Sequence, residues 1–107
     1  GQGETVRDAL HVDDAVSAIV SCVQAPPQSH FCCINLGCGQ RVTTLEYVEA
    51  LVAALASKSI IIPVDRPSPQ QVDLQADITE ARSLIGFDPT PLAASMEKYA
   101  RELQTQS

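Results

Sequence analysis

Positive charge is scarce in this sequence. Seven lysines and arginines stand against thirteen aspartates and glutamates, for a net charge of −6 at pH 7. That balance excludes a broad nucleic-acid surface, which needs clustered Lys and Arg. It leaves room for a local anion site, because a few arginines hold a phosphate whatever the global sign. Long apolar runs are missing too: none approaches a membrane span, and no signal-peptide pattern opens the chain. Neither a membrane nor a nucleic acid is therefore an expected partner. Cysteine lacks the spread of a secreted disulfide scaffold. Of Cys22, Cys32, Cys33 and Cys38, three are bunched, which reads as reduced thiols in a cytoplasmic protein. The opening "GQGET" fits a myristoylation pattern if an initiator Met was removed, but that pattern is loose. The only methionine is Met96, so the start reads equally as a cut edge within a longer protein. What remains is ordinary for a globular chain, 45% hydrophobic and 19% charged, with residues 1–107 read as a single partial domain.

Hydrophobic spacing predicts three strands and four helices in the order β-α-β-α-β-α-α, an α/β arrangement (mixed α+β in isolation). The segment Val6 to Val12 reads as a strand, and Asp13 and Asp14 offer N-cap oxygens to the helix behind it. Val12, Val16, Ile19, Val20 and Val23 recur at helical spacing and predict one buried stripe, ended by Pro26 and Pro27. "FCCINL" is a continuous apolar run before glycines, which suits a buried strand. Thr43-x-x-Glu46 is a capping-box signature, with Leu45, Val48, Leu51, Val52 and Leu55 as the stripe of its helix. "SIIIPV" is β-branched and predicts the third strand. Asp77 to Glu80 begins a short helix stopped at Gly86. Pro91 at N1 begins the last helix, with Leu92, Met96, Tyr99 and Leu103 as its buried face.

The most conspicuous cluster of chemical groups is "HFCCINLGCGQ", in which His30, Cys32, Cys33 and Cys38 offer four metal donors. Adjacent residues on a strand point to opposite faces, so at most one of Cys32 and Cys33 shares an ion with Cys38. Buried small hydrophobes are the plainer reading of these thiols. Gly37-x-Gly39 lies where a dinucleotide loop would lie, but Val42 stands in place of the third glycine and no acidic residue follows at the required distance. It reads as a turn that needs positive φ or close backbone approach. His11-x-Asp13-Asp14 suggests a metal or an acid–base pair, with helix capping the simpler account. Glu4, Glu46, Glu49 and Glu97 fit solvated or capping positions. Arg7, before a strand, and Arg66, in a proline-bearing loop, are suited to bidentate phosphate contacts; pairing with Asp8 or Asp65 explains them equally well.

In register, "GQGETVRDALHVDDAVSAI", "INLGCGQRVTTLEYVEAL", "IIPVDRP" and "ADITEARSLIGFDPTPLAASMEKYAREL" resemble the C-terminal portion of NAD-dependent nucleotide-sugar epimerase/dehydratases, of the extended short-chain dehydrogenase/reductase (SDR) superfamily. The family shows "GDGxxxRDFIHVDD", then "NIGSG" or "NLGTG", then "RPGD", then "ADxSKAxxLLGWxP". The resemblance implies that this chain is the substrate-binding part of that fold without its Rossmann half. It implies contacts to the nucleotide diphosphate from Arg7 and from Arg66. The glycine turn becomes Gly37-Cys38-Gly39, preceded by Asn35, with an architectural role. Arg66-Pro67-Ser68-Pro69-Gln70 lacks the Asp of "RPGD", and the run on to Asp77 is slightly longer than the family's. The family's Tyr-x-x-x-Lys is absent, since Tyr47 and Tyr99 are followed four residues later by Leu51 and Leu103. The expectation is thus a segment that binds nucleotide-sugar in the complete enzyme, with no catalytic residue, no metal ligand and no cofactor of its own, NAD belonging to the complete enzyme. Two alternatives stand beside it. One is a free-standing small protein of that descent that forms a homo-oligomer through an exposed strand edge or apolar face. The other, weaker, is a small cysteine-based metal or redox protein.

Overall fold

A computed structural model describes residues 1–25, 31–65 and 72–106. The predicted Pro26-Pro27 stop, His30, and the loop from Arg66 to Gln70 lie outside the described residues. Among the described residues there are four helices: α1 (Val12–Gln24), α2 (Thr44–Ala54), α3 (Thr79–Ile85) and α4 (Leu92–Thr105). Helix α2 packs on α4, and α1 packs on α3.

The helix ends follow local chemistry. Thr43 Oγ1 accepts from Glu46 N at 3.2 Å while Glu46 Oε2 accepts from Thr43 N at 3.1 Å, so the predicted capping box is complete. Thr43→Ala removes one half of that exchange, and urea denaturation should show a loss of about 1 kcal/mol. Helix α3 stops at Gly86, whose φ of 63° is the left-handed conformation a glycine adopts freely. Pro91 is the N-cap of α4, one position earlier than expected. The cap of α1 differs more. His11, not Asp13 or Asp14, is the N-cap, its Nδ1 accepting from Asp13 N at 3.0 Å. Asp14 instead turns to Thr90, accepting from its N and its Oγ1, each at 2.8 Å. That pair of bonds ties the start of α1 to the start of α4.

The three predicted strands are not seen among the described residues. Their place is taken by unladdered chain and a single antiparallel bridge between Val6 and Thr43. Arg7 N donates to Val42 O, and Thr44 N donates to Thr5 O. On the other side of the same segment Leu74 N donates to Val6 O. A strand is defined by a ladder, and the Val6 and 59–64 segments find isolated bonds, the latter Val64 N to Gly1 O, rather than a continuous partner.

The burial predictions change for the same reason. Val12, Val16, Ile19, Val20 and Val23, expected to be buried, are 46–81% exposed, and only Ala18 of α1 is buried. "FCCINL" is not a buried strand either: Phe31 is 84% exposed and both cysteines are exposed. Ile60 and Ile62 of the third predicted strand are open to solvent as well. On α4, Leu92 and Met96 are half-buried, but Tyr99 and Leu103 are exposed. The core that does form is small. Ala18, Ile78, Ala81 and Phe87 make its centre, with Leu10, Ile34, Leu36, Ala76 and Ile85 packed around them. The molecule is a slab of 49 × 38 × 18 Å.

Candidate functional site

Val6 is the point where three segments cross. It is fully buried, its N donates to Asp73 Oδ1 at 2.9 Å, and its carbonyl accepts from Leu74 N. The next residue, Arg7, is exposed. Its Nη1 donates to Val6 O at 2.9 Å and to Val72 O at 2.6 Å, which pins the guanidinium over the 72–74 segment. Arg41 reaches the same place from the other side, Nη2 and Nη1 lying 3.3 and 3.4 Å from Asp73 Oδ2. The Asp73 carboxyl is held below the usual carboxylate range, chiefly by the Val6 N–H, with Arg41 and then Arg7 adding to it. The crossing therefore carries two arginines around one carboxylate. Sequence reasoning picked Arg7 and missed Arg41 and Asp73. Arg66, its expected companion, lies outside the described residues.

Asp8 binds this crossing to the glycine turn. Its Oδ1 accepts from Cys38 N and its Oδ2 from Ala76 N, both at 2.7 Å. Burial pushes the Asp8 carboxyl up, but the two N–H bonds outweigh it, and the net direction is down. The glycines on either side of Cys38 serve different needs. Gly39 has φ +73°, whereas Gly37 sits so close to Asp8 Oδ2 that a Cβ there would collide with it. Asn35, two residues before, is exposed.

A separate cleft of about 320 Å³ lies between α2, α4 and residues 9–12. Tyr47 stands in its wall, its hydroxyl accepting from Ala9 N at 2.9 Å and lying 3.6 Å from Cys38 Sγ. Burial is the main cause pushing the Tyr47 hydroxyl up to about 12. At one end, His11, Asp13 and Glu102 bring donor atoms within 4.8 Å of one another. This donor set suits a cation poorly. The Nδ1 lone pair of His11 already takes the Asp13 N–H, and Lys98 Nζ lies 3.9 Å from Asp13 Oδ2. No cysteine is in a disulfide among the described residues.

No family model matches the chain. Among curated proteins it is 31% identical over 114 residues to UDP-glucuronic acid decarboxylase 1 of Danio rerio, a match that takes in all of this chain and 26% of that protein. Among solved structures its fold is similar to RMD of Pseudomonas aeruginosa, determined with NADPH, at a TM-score of 0.78 and 19% identity over 100% of this chain and 35% of that one. It is similar also to UDP-glucose 4-epimerase of Thermotoga maritima, determined with UDP-glucose, at a TM-score of 0.79 and 24% identity over 99% of this chain and 34% of that one. The corresponding enzyme of Bifidobacterium longum, determined with NAD+ and UDP, gives a TM-score of 0.74 and 22% identity over 97% and 31%. The chain thus spans between a quarter and about a third of the proteins it matches. Motifs, identity and fold agree: over its whole length the chain is similar in sequence to part of UDP-glucuronic acid decarboxylase 1 and has the fold of part of UDP-glucose 4-epimerase.

Proposed function

We propose that this chain is the C-terminal, nucleotide-diphosphate-sugar-binding segment of such an enzyme, and that Arg7 and Arg66 hold the diphosphate. The observation that carries the reading is the setting of Arg7. One guanidinium nitrogen is spent on the Val6 and Val72 carbonyls, so the side chain is aimed before any ligand arrives, while the residue stays exposed. A pre-aimed, planar, permanently charged fork is suited to a diphosphate. Arg41 adds positive charge to the same crossing. NAD and the sugar chemistry belong in this reading to the complete enzyme, so the chain alone neither binds NAD nor turns over substrate.

Two titrations test it. Calorimetry with millimolar NAD should give no saturable heat; a saturable heat defeats that part of the reading. UDP should shift its own phosphorus resonances on addition of the chain, and Arg7→Ala should weaken that binding about tenfold, the value of a charge-assisted hydrogen bond. Unmoved phosphorus lines, or an Arg7→Ala chain that binds UDP as before, overturn the assignment of Arg7.

The exposed α1 stripe favours a second reading, a free-standing protein that self-associates through its apolar face. A mass measured on size exclusion separates the two. A stable dimer lost on Val16→Lys favours self-association, and a strict monomer opposes it.

A further inference from the structure

We propose that the cleft between α2, α4 and residues 9–12 binds a small, neutral, aromatic molecule carrying one hydrogen-bond acceptor, which His11 Nε2–H engages. The site is independent of the diphosphate reading and uses none of its arginines. Its volume of about 320 Å³ suits a one-ring molecule and lies at the lower end of the range of small-ligand sites. Its walls are apolar and aromatic, with Leu10, Val42, Leu92, Met96, Tyr47 and Tyr99 among the lining residues. Aromatic rings and a thioether are good surfaces for another ring.

The polar groups of the cleft are nearly all spent. Tyr47 accepts from Ala9 N, Cys38 Sγ donates to Gln40 O at 3.3 Å, and the Tyr47 hydrogen is left for the Cys38 sulfur. Thr90 Oγ1 donates to Asp14, and Ser95 Oγ donates to Thr90 O at 3.3 Å. His11 is different. Its side chain is only 6% exposed, and Nδ1 accepts the Asp13 N–H, which fixes the neutral ring as the Nε2–H tautomer. Among the described residues Nε2 has no hydrogen-bond partner. No fully buried side-chain nitrogen lacks one either, so the Nε2 edge keeps contact with open space. His11 lines the cleft, the site to which that edge is assigned.

The result is a buried ring with an unspent donor beside an apolar cavity; the Tyr99 hydroxyl is a second unspent donor in the lining, but on an exposed residue. A donor in that position rewards a matching acceptor, because the ligand replaces water without loss of the bond. The Glu102 carboxylate in the same lining opposes an anion and selects a neutral acceptor such as a ketone or amide oxygen.

Acetophenone and toluene distinguish the donor from the apolar walls, since only the first carries an acceptor. Each is titrated into the full 107-residue chain labelled with nitrogen-15. Both should saturate, with shifts centred on Ala9, Val42, Leu92, Ser95 and Met96, and acetophenone should bind about fivefold more tightly. The His11 imidazole nitrogens, read on the unmutated chain, should move with acetophenone and not with toluene. His11→Asn keeps a good N-cap but withdraws the Nε2 donor. It should abolish the difference between the two molecules. Absence of saturation, shifts outside the cleft, or imidazole nitrogens indifferent to acetophenone overturn the proposal, even if His11→Asn fails to fold.

Discussion

Gly37→Ala is expected to cost about 3 kcal/mol or more, a large share of the roughly 5–15 kcal/mol that holds a domain folded. A Cβ at this position would collide with Asp8 Oδ2 and lie 2.9 Å from both Asp8 Cγ and Ala76 Cβ. Neither neighbour is a loose end. The carboxylate is fixed by N–H bonds from Cys38 and Ala76, so its withdrawal strands two backbone donors, each worth about 1–3 kcal/mol when left without a partner. Shifting the turn instead breaks the Cys38 bond and moves Gly39 with it. Gly39→Ala makes the internal comparison. Its φ of +73° strains any L side chain by about 1 kcal/mol, but the nearest atom, Ile78 Cδ1 at 2.9 Å, is the flexible end of a side chain. Urea midpoints should therefore rank Gly37→Ala as the more damaging. The reverse order, or a Gly37→Ala chain as stable as its parent, would mean that the crossing at Asp8 does not hold the fold.

What the sequence made readable was what depends on near neighbours. The Thr43–Glu46 box, the stop at Gly86 and the turn at Gly37 and Gly39 are set by residues within a few positions of each other, and each is found where the residue types indicate. Strands and burial were misread because they depend on what lies opposite. The valines of α1 and the isoleucines at 60 and 62 mark surfaces suited to being covered, and periodicity carries no record of what covers them. The Asp13–Asp14 capping prediction failed for a related reason. His11 reached the free N–H first, and Asp14 found a better partner in Thr90, 76 residues away. Arg41 and Asp73 went unnoticed, and Tyr47 was weighed only against Tyr-x-x-x-Lys, because the Arg41–Asp73 and Ala9–Tyr47 bonds span 32 and 38 residues, and no local pattern announces such pairs.

The exposed apolar faces and the slab shape have one physical origin. The accessible surface is 7819 Å². A compact monomer of this mass exposes roughly 5,800 Å² by the usual scaling of surface with size, so about 2,000 Å² is in excess. That is more than the roughly 800 Å² each partner buries in a standard protein–protein interface, and it matches one side of a large obligate one. The match to between a quarter and about a third of the length of the proteins it resembles gives the same picture in another measure. On the proposed reading, the remaining part of the enzyme fold would lie on α1 and on the segments predicted as strands, and would supply the ladders they lack. Polar substitutions at Val16 or Ile19 would then change little in this chain alone and much in a complete enzyme.

Asp8→Asn gives the second large effect, and it carries a pH signature. The amide is nearly isosteric, but it offers one acceptor where the carboxylate offers two, and its NH2 faces a backbone donor. One of Cys38 N and Ala76 N is left unpaired, for an expected loss of about 2 kcal/mol near neutral pH. Burial raises the Asp8 carboxyl and the Ala76 and Cys38 N–H bonds lower it further than that, so the folded value lies below the ordinary 3.8. A carboxyl lowered by folding contributes stability that is fully present above its unfolded value and is lost as pH falls through the folded one. Asp73 and Asp77 shift in the same direction, through the Val6 N–H and the Thr79 hydroxyl respectively, and remain in the variant. The parent chain should thus lose stability steadily as pH falls below 3.8, and Asp8→Asn should lose less over the same interval. The gap between the two urea midpoints, widest near pH 7, should narrow in acid. Curves that stay parallel through that window would show that the Asp8 charge contributes nothing to the crossing, and that its two bonds act as neutral ones.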